Sequence, residues 1–151
     1  MRIRFLLLIA AVVLVSSCAT VPVAERESRI MALVDRINGD SLTRVVEVTS
    51  VPFVLDREIL ALEGDVRTMW SNMRDAGFML VNPTIEEIIP LGSESYKRFG
   101  DTMDMRVFFD KYVPEDATLV RINSDSGDFL FVLGDRFWGV PRMYAMTGPL
   151  P

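Results

Sequence analysis

Residues 103–133 read MDMRVFFDKYVPEDATLVRINSDSGDFLFVL, and the spacing of apolar side chains along them decides the fold. Met103, Met105, Val107 and Phe109 alternate with Asp104, Arg106, Phe108 and Asp110. A period of two predicts a long half-buried strand. Val113 to Asp116 then turns, and Thr118 to Asn123 forms the next strand. Ser124-Asp125-Ser126-Gly127 is a hairpin loop rich in turn residues, and Phe129 to Leu133 is the returning strand.

Upstream of this region the strand pattern continues only briefly. Ile85 to Ile89 reads as a strand ended by Pro90, and Leu91 to Asp101 (LGSESYKRFGD) as a polar loop. Downstream, Phe137-Trp138-Gly139-Val140-Pro141 breaks the run before a last strand, Met143 to Thr147.

Further toward the amino terminus the period changes to that of a helix. Ile30, Leu33, Val34 and Ile37 fall on one helical face, predicting a helix over about Ala24 to Asn38 that Gly39 terminates. Asp40 or Ser41 can cap a second, shorter helix from Leu42 to about Thr49, although its β-branched content also suits a strand. Val51 to Leu55 and Ile59-Leu60 predict two short strands around a charged turn, Asp56-Arg57-Glu58. A third helix opens at Glu63 or Asp65, carries Val66, Met69, Trp70 and Met73 on one face, and closes at Gly77.

Helices first and strands afterwards predict an α+β domain, its amino-terminal helices packed on a curved, mostly antiparallel sheet. The element order resembles the nuclear transport factor 2-like superfamily, with RINGDSLTRVVEVTS as helix, turn and second helix, and GDVRTMWSNM as the helix after the first hairpin. The resemblance implies a cone-shaped domain with an apolar pocket. A cystatin-like helix-on-sheet module is the alternative architecture.

The first twenty residues, MRIRFLLLIAAVVLVSSCAT, are of another kind. Arg2 and Arg4 precede an apolar run from Phe5 to Val15, too short to span a bilayer, which takes about 20 residues. The order of charge, apolar run and small residues describes a secretory signal. Val15-Ser16-Ser17-Cys18 resembles the lipobox of bacterial lipoproteins. The resemblance implies that residues 1–17 are removed and that Cys18 becomes the lipidated first residue. Residues 18–23 are then a tether and 24–151 a single domain. Cys18 is the only cysteine in the chain, so an internal disulfide is excluded, and lipidation consumes a thiol that would otherwise be exposed to an oxidising compartment. Two or more acyl chains give stable anchoring, which makes the membrane a partner through Cys18. Ala19, rather than an aspartate, follows the cysteine, and by the same resemblance this favours the outer membrane, facing the periplasm, over the inner membrane.

Composition narrows the chemistry. The 151 residues carry 16 basic and 21 acidic side chains, a net charge of −5, which becomes about −7 once Arg2 and Arg4 are removed. Such a chain is poorly matched to nucleic acid, whose phosphates ask for clustered Lys and Arg. There is no histidine. Ser-His-Asp and Cys-His catalysis, histidine zinc sites and the common neutral-pH base are all removed. No cofactor is expected.

Trp70, Met73, Phe109, Phe131 and Tyr144 are the candidate lining of a pocket for a small apolar ligand, with core packing as the competing reading. Trp138, at the break, is the candidate surface for a protein partner. Asn123 to Asp128 resembles a calcium loop in its alternating oxygens, but no later glutamate completes it, so no metal site is expected. The function predicted is a non-catalytic binding or structural module anchored in the cell envelope. The alternative is a histidine-free isomerase or hydrolase built on an Asp/Tyr pair in an apolar pocket, with Asp104 or Asp110 and Tyr112 or Tyr144 as candidates.

Overall fold

The computed structural model of the chain describes residues 22–39, 41–137 and 139–151, excepting the side chains of residues 135–137. Cys18, the segment before it, Asp40 and Trp138 lie outside the described residues. The order is α1 (Val23–Gly39), α2 (Leu42–Glu47), β1 (Thr49–Leu55), β2 (Glu58–Leu60), α3 (Glu63–Asp75), β3 (Thr84–Pro90), a 3-10 turn (Ser95–Arg98), α4 (Met103–Tyr112), β4 (Thr118–Ser124), β5 (Gly127–Phe137) and β6 (Val140–Thr147). The fold is α+β, with helices packed on one curved, open sheet. Strand order is β2-β1-β6-β5-β4-β3; β1 runs parallel to β6 and every other pair is antiparallel.

On one face of the sheet lie α1, α2 and α3. Ile30, Leu33, Val34 and Ile37 of α1 are all buried, as their helical spacing predicts. They meet Phe53 of β1, Val120 and Ile122 of β4, Phe129, Phe131 and Leu133 of β5 and Met143 and Met146 of β6. Trp70 of α3 is 1% exposed. Its indole N–H donates to Thr49 Oγ1 at 3.0 Å, and that hydroxyl donates to the Val45 carbonyl at 2.7 Å. A buried indole N–H otherwise costs the protein a lost hydrogen bond. Helix α3 ends in a Schellman arrangement: Phe78 N–H reaches Met73 O and Gly77 N–H reaches Arg74 O. Gly77 has φ +75, a conformation that favours glycine. Asn38 fastens the following link by accepting from Leu80 N–H and donating to Leu80 O, each at 2.9 Å.

The main departure from the sequence reading is at Met103 to Asp110. This segment is not a strand. It is helix α4, lying on the second face of the sheet. Thr102 caps it by accepting from Met105 N–H, Asp104 stands in its first turn and Lys111 in its last, which suits the helix dipole. Met105 and Phe108 are buried, and Phe109 packs beside them, at i, i+3 and i+4. Met103 and Val107, inward-facing in a strand, are 70% and 49% exposed. Together with Phe99, α4 covers Val54, Leu119, Leu130, Val132 and Ala145. Both faces of the central strands are therefore covered.

Other boundaries move by a few residues. The sheet begins at Thr49, inside the span read as the second helix. The polar loop 91–101 contains the 3-10 turn. Strand β5 continues to Phe137 and β6 starts at Val140, so the break at 137–141 is a tight hairpin between two paired strands.

Candidate functional site

The five candidate pocket residues do not share a pocket. Trp70 and Phe131 are each 1% exposed and fill the helix-covered core. Phe109 and Tyr144 belong to the second core, across the sheet. Met73 is half-buried at the edge of the first core and borders a shallow groove of about 510 Å³ with Leu55, Ile59, Leu60 and Met69. The centre of the space between sheet and α1–α3, where the cone-shaped resemblance places an apolar pocket, is filled by Trp70, Phe53 and Phe131, which leaves grooves only at its edge.

Asp104 and Asp110, expected on a strand, sit on α4 and are exposed. Asp110 lies 3.9 Å from the Arg106 guanidinium. No described carboxylate is buried. Tyr112 is 41% exposed, with its ring 5.7 Å from Phe108 and Lys111 5.0 Å from its centroid. The Tyr144 ring packs over Gly134, where a Cβ would meet Tyr144 Cε2 at 2.6 Å and Pro114 Cγ at 3.5 Å.

The calcium-like loop is an internally bonded hairpin. The Asp128 carboxylate accepts from Arg121 and from Asn123, and these bonds hold it below the usual carboxylate range, the Arg121 bond contributing most. Asp125 Oδ2 accepts from Asn82 at 2.8 Å, and the Ser126 hydroxyl donates to Met79 O at 2.8 Å. Asp125 and Ser126 thus brace the turn against the link after α3, while Asn123, Ser124 and Asp128 bond within the hairpin.

A better-composed site lies on the second face, where the chain between β3 and β4 folds back on itself. Leu91, Gly92 and Ser93 from the loop, Tyr96 from the 3-10 turn, and Phe109, Asp110, Val113, Pro114 and Glu115 from the end of α4 enclose a cleft of about 310 Å³. This volume falls at the small end of ligand sites. The floor is firm. Phe109 is held by Phe99 at 5.6 Å and by Phe108 at 5.8 Å between ring centroids. The 3-10 turn is tied by Phe99 N–H and Gly100 N–H, both donating to Tyr96 O. Tyr96 and Phe109 are half-buried, whereas Asp110 and Glu115 are exposed at the rim.

Of the basic side chains near this cleft, Arg106 lies 3.9 Å from Asp110 at the rim, while Lys97 and Lys111 are directed elsewhere. Lys97 pairs with Glu94, which raises the lysine pKa chiefly through their hydrogen bond. Lys111 lies over Tyr112. No Lys or Arg is among the residues that line the cleft.

No family model, curated protein or solved structure matches this chain.

The site thus rests on geometry. Of its residues, the sequence reading singled out Phe109 as pocket lining and Asp110 as a candidate acid. Tyr96 and Glu115 were missed because they sit in segments that read as a polar loop and a turn. A signal was present: Tyr96 and Phe99 are three apart inside an otherwise polar stretch, which is the spacing of two side chains turned to one side of a helical turn.

Proposed function

We propose that the protein is a lipid-anchored module of the bacterial cell envelope, held through Cys18, which binds a small ligand in the cleft between Tyr96, Phe109 and Glu115. The observation that carries the binding part is the composition of the cleft on the second face. Trp70, Phe53 and Phe131 fill the centre of the first core and leave only grooves at its edge, while the cleft gathers two half-buried aromatic rings and two exposed carboxylates in one place. A cleft of this kind, which sets polar groups among apolar side chains, serves recognition.

Anchoring rests on the order of charge, apolar run, small residues and cysteine in residues 2–18. Among the described residues no helix is long and apolar enough to cross a membrane. The tether from Cys18 to α1 at Val23 is short, which keeps the domain close to its membrane, in this reading the periplasmic side of the outer one.

The test of anchoring is metabolic labelling with a clickable palmitate analogue in a bacterial host. The wild-type chain takes up label and sediments with membranes. Cys18→Ser loses the label and leaves the lipid-anchored fraction. Retention of both label and membrane association by Cys18→Ser would overturn the anchoring.

A further inference from the structure

We infer that the cleft on the second face selects organic cations: an ammonium group carried on a short apolar body. This rests on the reading of the cleft as a binding site and gives its ligand a chemical class.

The lining excludes the alternatives in turn. With no Lys or Arg among the lining residues, an anion would meet the carboxylates of Asp110 and Glu115, with Arg106, 3.9 Å from Asp110, as a weak counter-charge. A neutral apolar ligand would desolvate Asp110 and Glu115 without bringing a counter-charge of its own. A bare divalent ion asks for six or more oxygens in close geometry. The side chains of the cleft offer two carboxylates and the Ser93 and Tyr96 hydroxyls, and Leu91, Phe109, Val113 and Pro114 make the rest of the wall apolar.

An alkylammonium satisfies all of the lining. Its charge meets the carboxylates and the Tyr96 and Phe109 rings, aromatic groups that attract cations through their quadrupoles, while its carbons cover Leu91, Val113 and Pro114. Phe109 is pre-positioned by Phe99 and Phe108, so little side-chain freedom is lost on binding. The existing partner of Asp110 is a weak competitor: Arg106 is 3.9 Å away and its side chain is 60% exposed, a separation and exposure at which ion pairs contribute little. The excess of acidic over basic side chains across the chain draws a cation toward the surface.

The experiment is an amide-resolved NMR titration of the full chain in non-ionic detergent, with choline and with its neutral isostere, 3,3-dimethylbutan-1-ol. Choline should shift the amides of Gly92, Ser93 and Glu115 saturably, and more weakly as salt is raised. The alcohol should bind at least about fivefold more weakly. Tyr96→Leu and Glu115→Gln should each weaken choline several-fold, whereas Tyr96→Phe, which keeps the ring, should not. Glu115 is exposed, so Glu115→Gln tests the idea even if Tyr96→Leu unfolds the chain. Equal binding of choline and the alcohol in the cleft would overturn the cation selectivity and leave the cleft as a binding site. Calcium reproducing the choline shifts, or choline binding untouched by Glu115→Gln, would also overturn it. No perturbation of the cleft by any probe would overturn the inference together with the binding reading, and leave the Cys18 anchoring to its own test.

Discussion

Two adjacent residues on α4 decide whether the second face of the sheet is covered as described. Phe108 is 1% exposed and Val107 is 49% exposed. Replacing a buried Phe by Ala removes its transfer free energy and leaves a cavity, typically about 3–5 kcal/mol. Val107→Ala removes two methyl groups that are already half in water. At about 0.8 kcal/mol per fully buried carbon the loss is below ~1 kcal/mol, and the better helix propensity of alanine offsets much of it. The expected ratio is therefore large. A domain of this size is stable by about 5–15 kcal/mol, so Phe108→Ala consumes a substantial share and Val107→Ala almost none. Urea unfolding followed by far-ultraviolet circular dichroism reads both, through a lowered midpoint at unchanged slope. A strand over the same residues reverses the order, because alternation then turns Val107 inward and Phe108 to water. A Val107→Ala loss equal to or larger than that of Phe108→Ala would refute the helix and its packing.

Two further predictions concern polar groups. Thr49→Val leaves the Trp70 indole N–H buried without an acceptor and should cost about 1–3 kcal/mol in the same urea assay, while Thr49→Ser should recover most of it; no difference between the two would sink the proposed network. Asp128 titrates below the ordinary carboxylate value in the folded chain because Arg121 and Asn123 bond to its charged form. Its stabilisation is then complete above the unfolded value of about 3.9 and is lost as the pH falls through the lower folded value. Acid should erode the stability of the wild type more steeply than that of Asp128→Asn below about pH 4, and parallel curves would contradict the ion pair.

Helices α1 and α3 were legible because each carries a complete local signal. In α1 the apolar positions repeat at i, i+3, i+4 and i+7, and Gly39 stops the run; in α3 Gly77 supplies the positive φ that the Schellman end requires. The hairpin of β4 and β5 was equally plain, since Asp125-Ser126-Gly127 can do little but turn. The pairing of β1 with β6 was not legible. It joins residues about ninety apart through backbone groups, and no side-chain pattern encodes the partner.

Helix α4 was misread because its ten residues satisfy two periods at once. Met103, Met105, Val107 and Phe109 alternate, while Met105, Phe108, Phe109 and Tyr112 recur at helical spacing. Length cannot arbitrate over so short a span. Two signals elsewhere point to the helix. Thr102 precedes Asp104 in the cap-then-acid order of a helix start. The other is in β5. Phe129 to Leu133 is apolar at every position, whereas a strand with one face in water alternates. Phe129, Phe131 and Leu133 go to one core and Leu130 and Val132 to the other. Five consecutive apolar residues in a central strand thus demand a second cover, and the helices at the amino terminus already occupy the first face. The chain between β3 and β4 supplies that cover. The cover is a short helix joined through a loop and a 3-10 turn, and the cleft opens where Tyr96 and Phe109 meet the turn at Pro114 and Glu115. The segment that closes the second core is therefore also the one that builds the site.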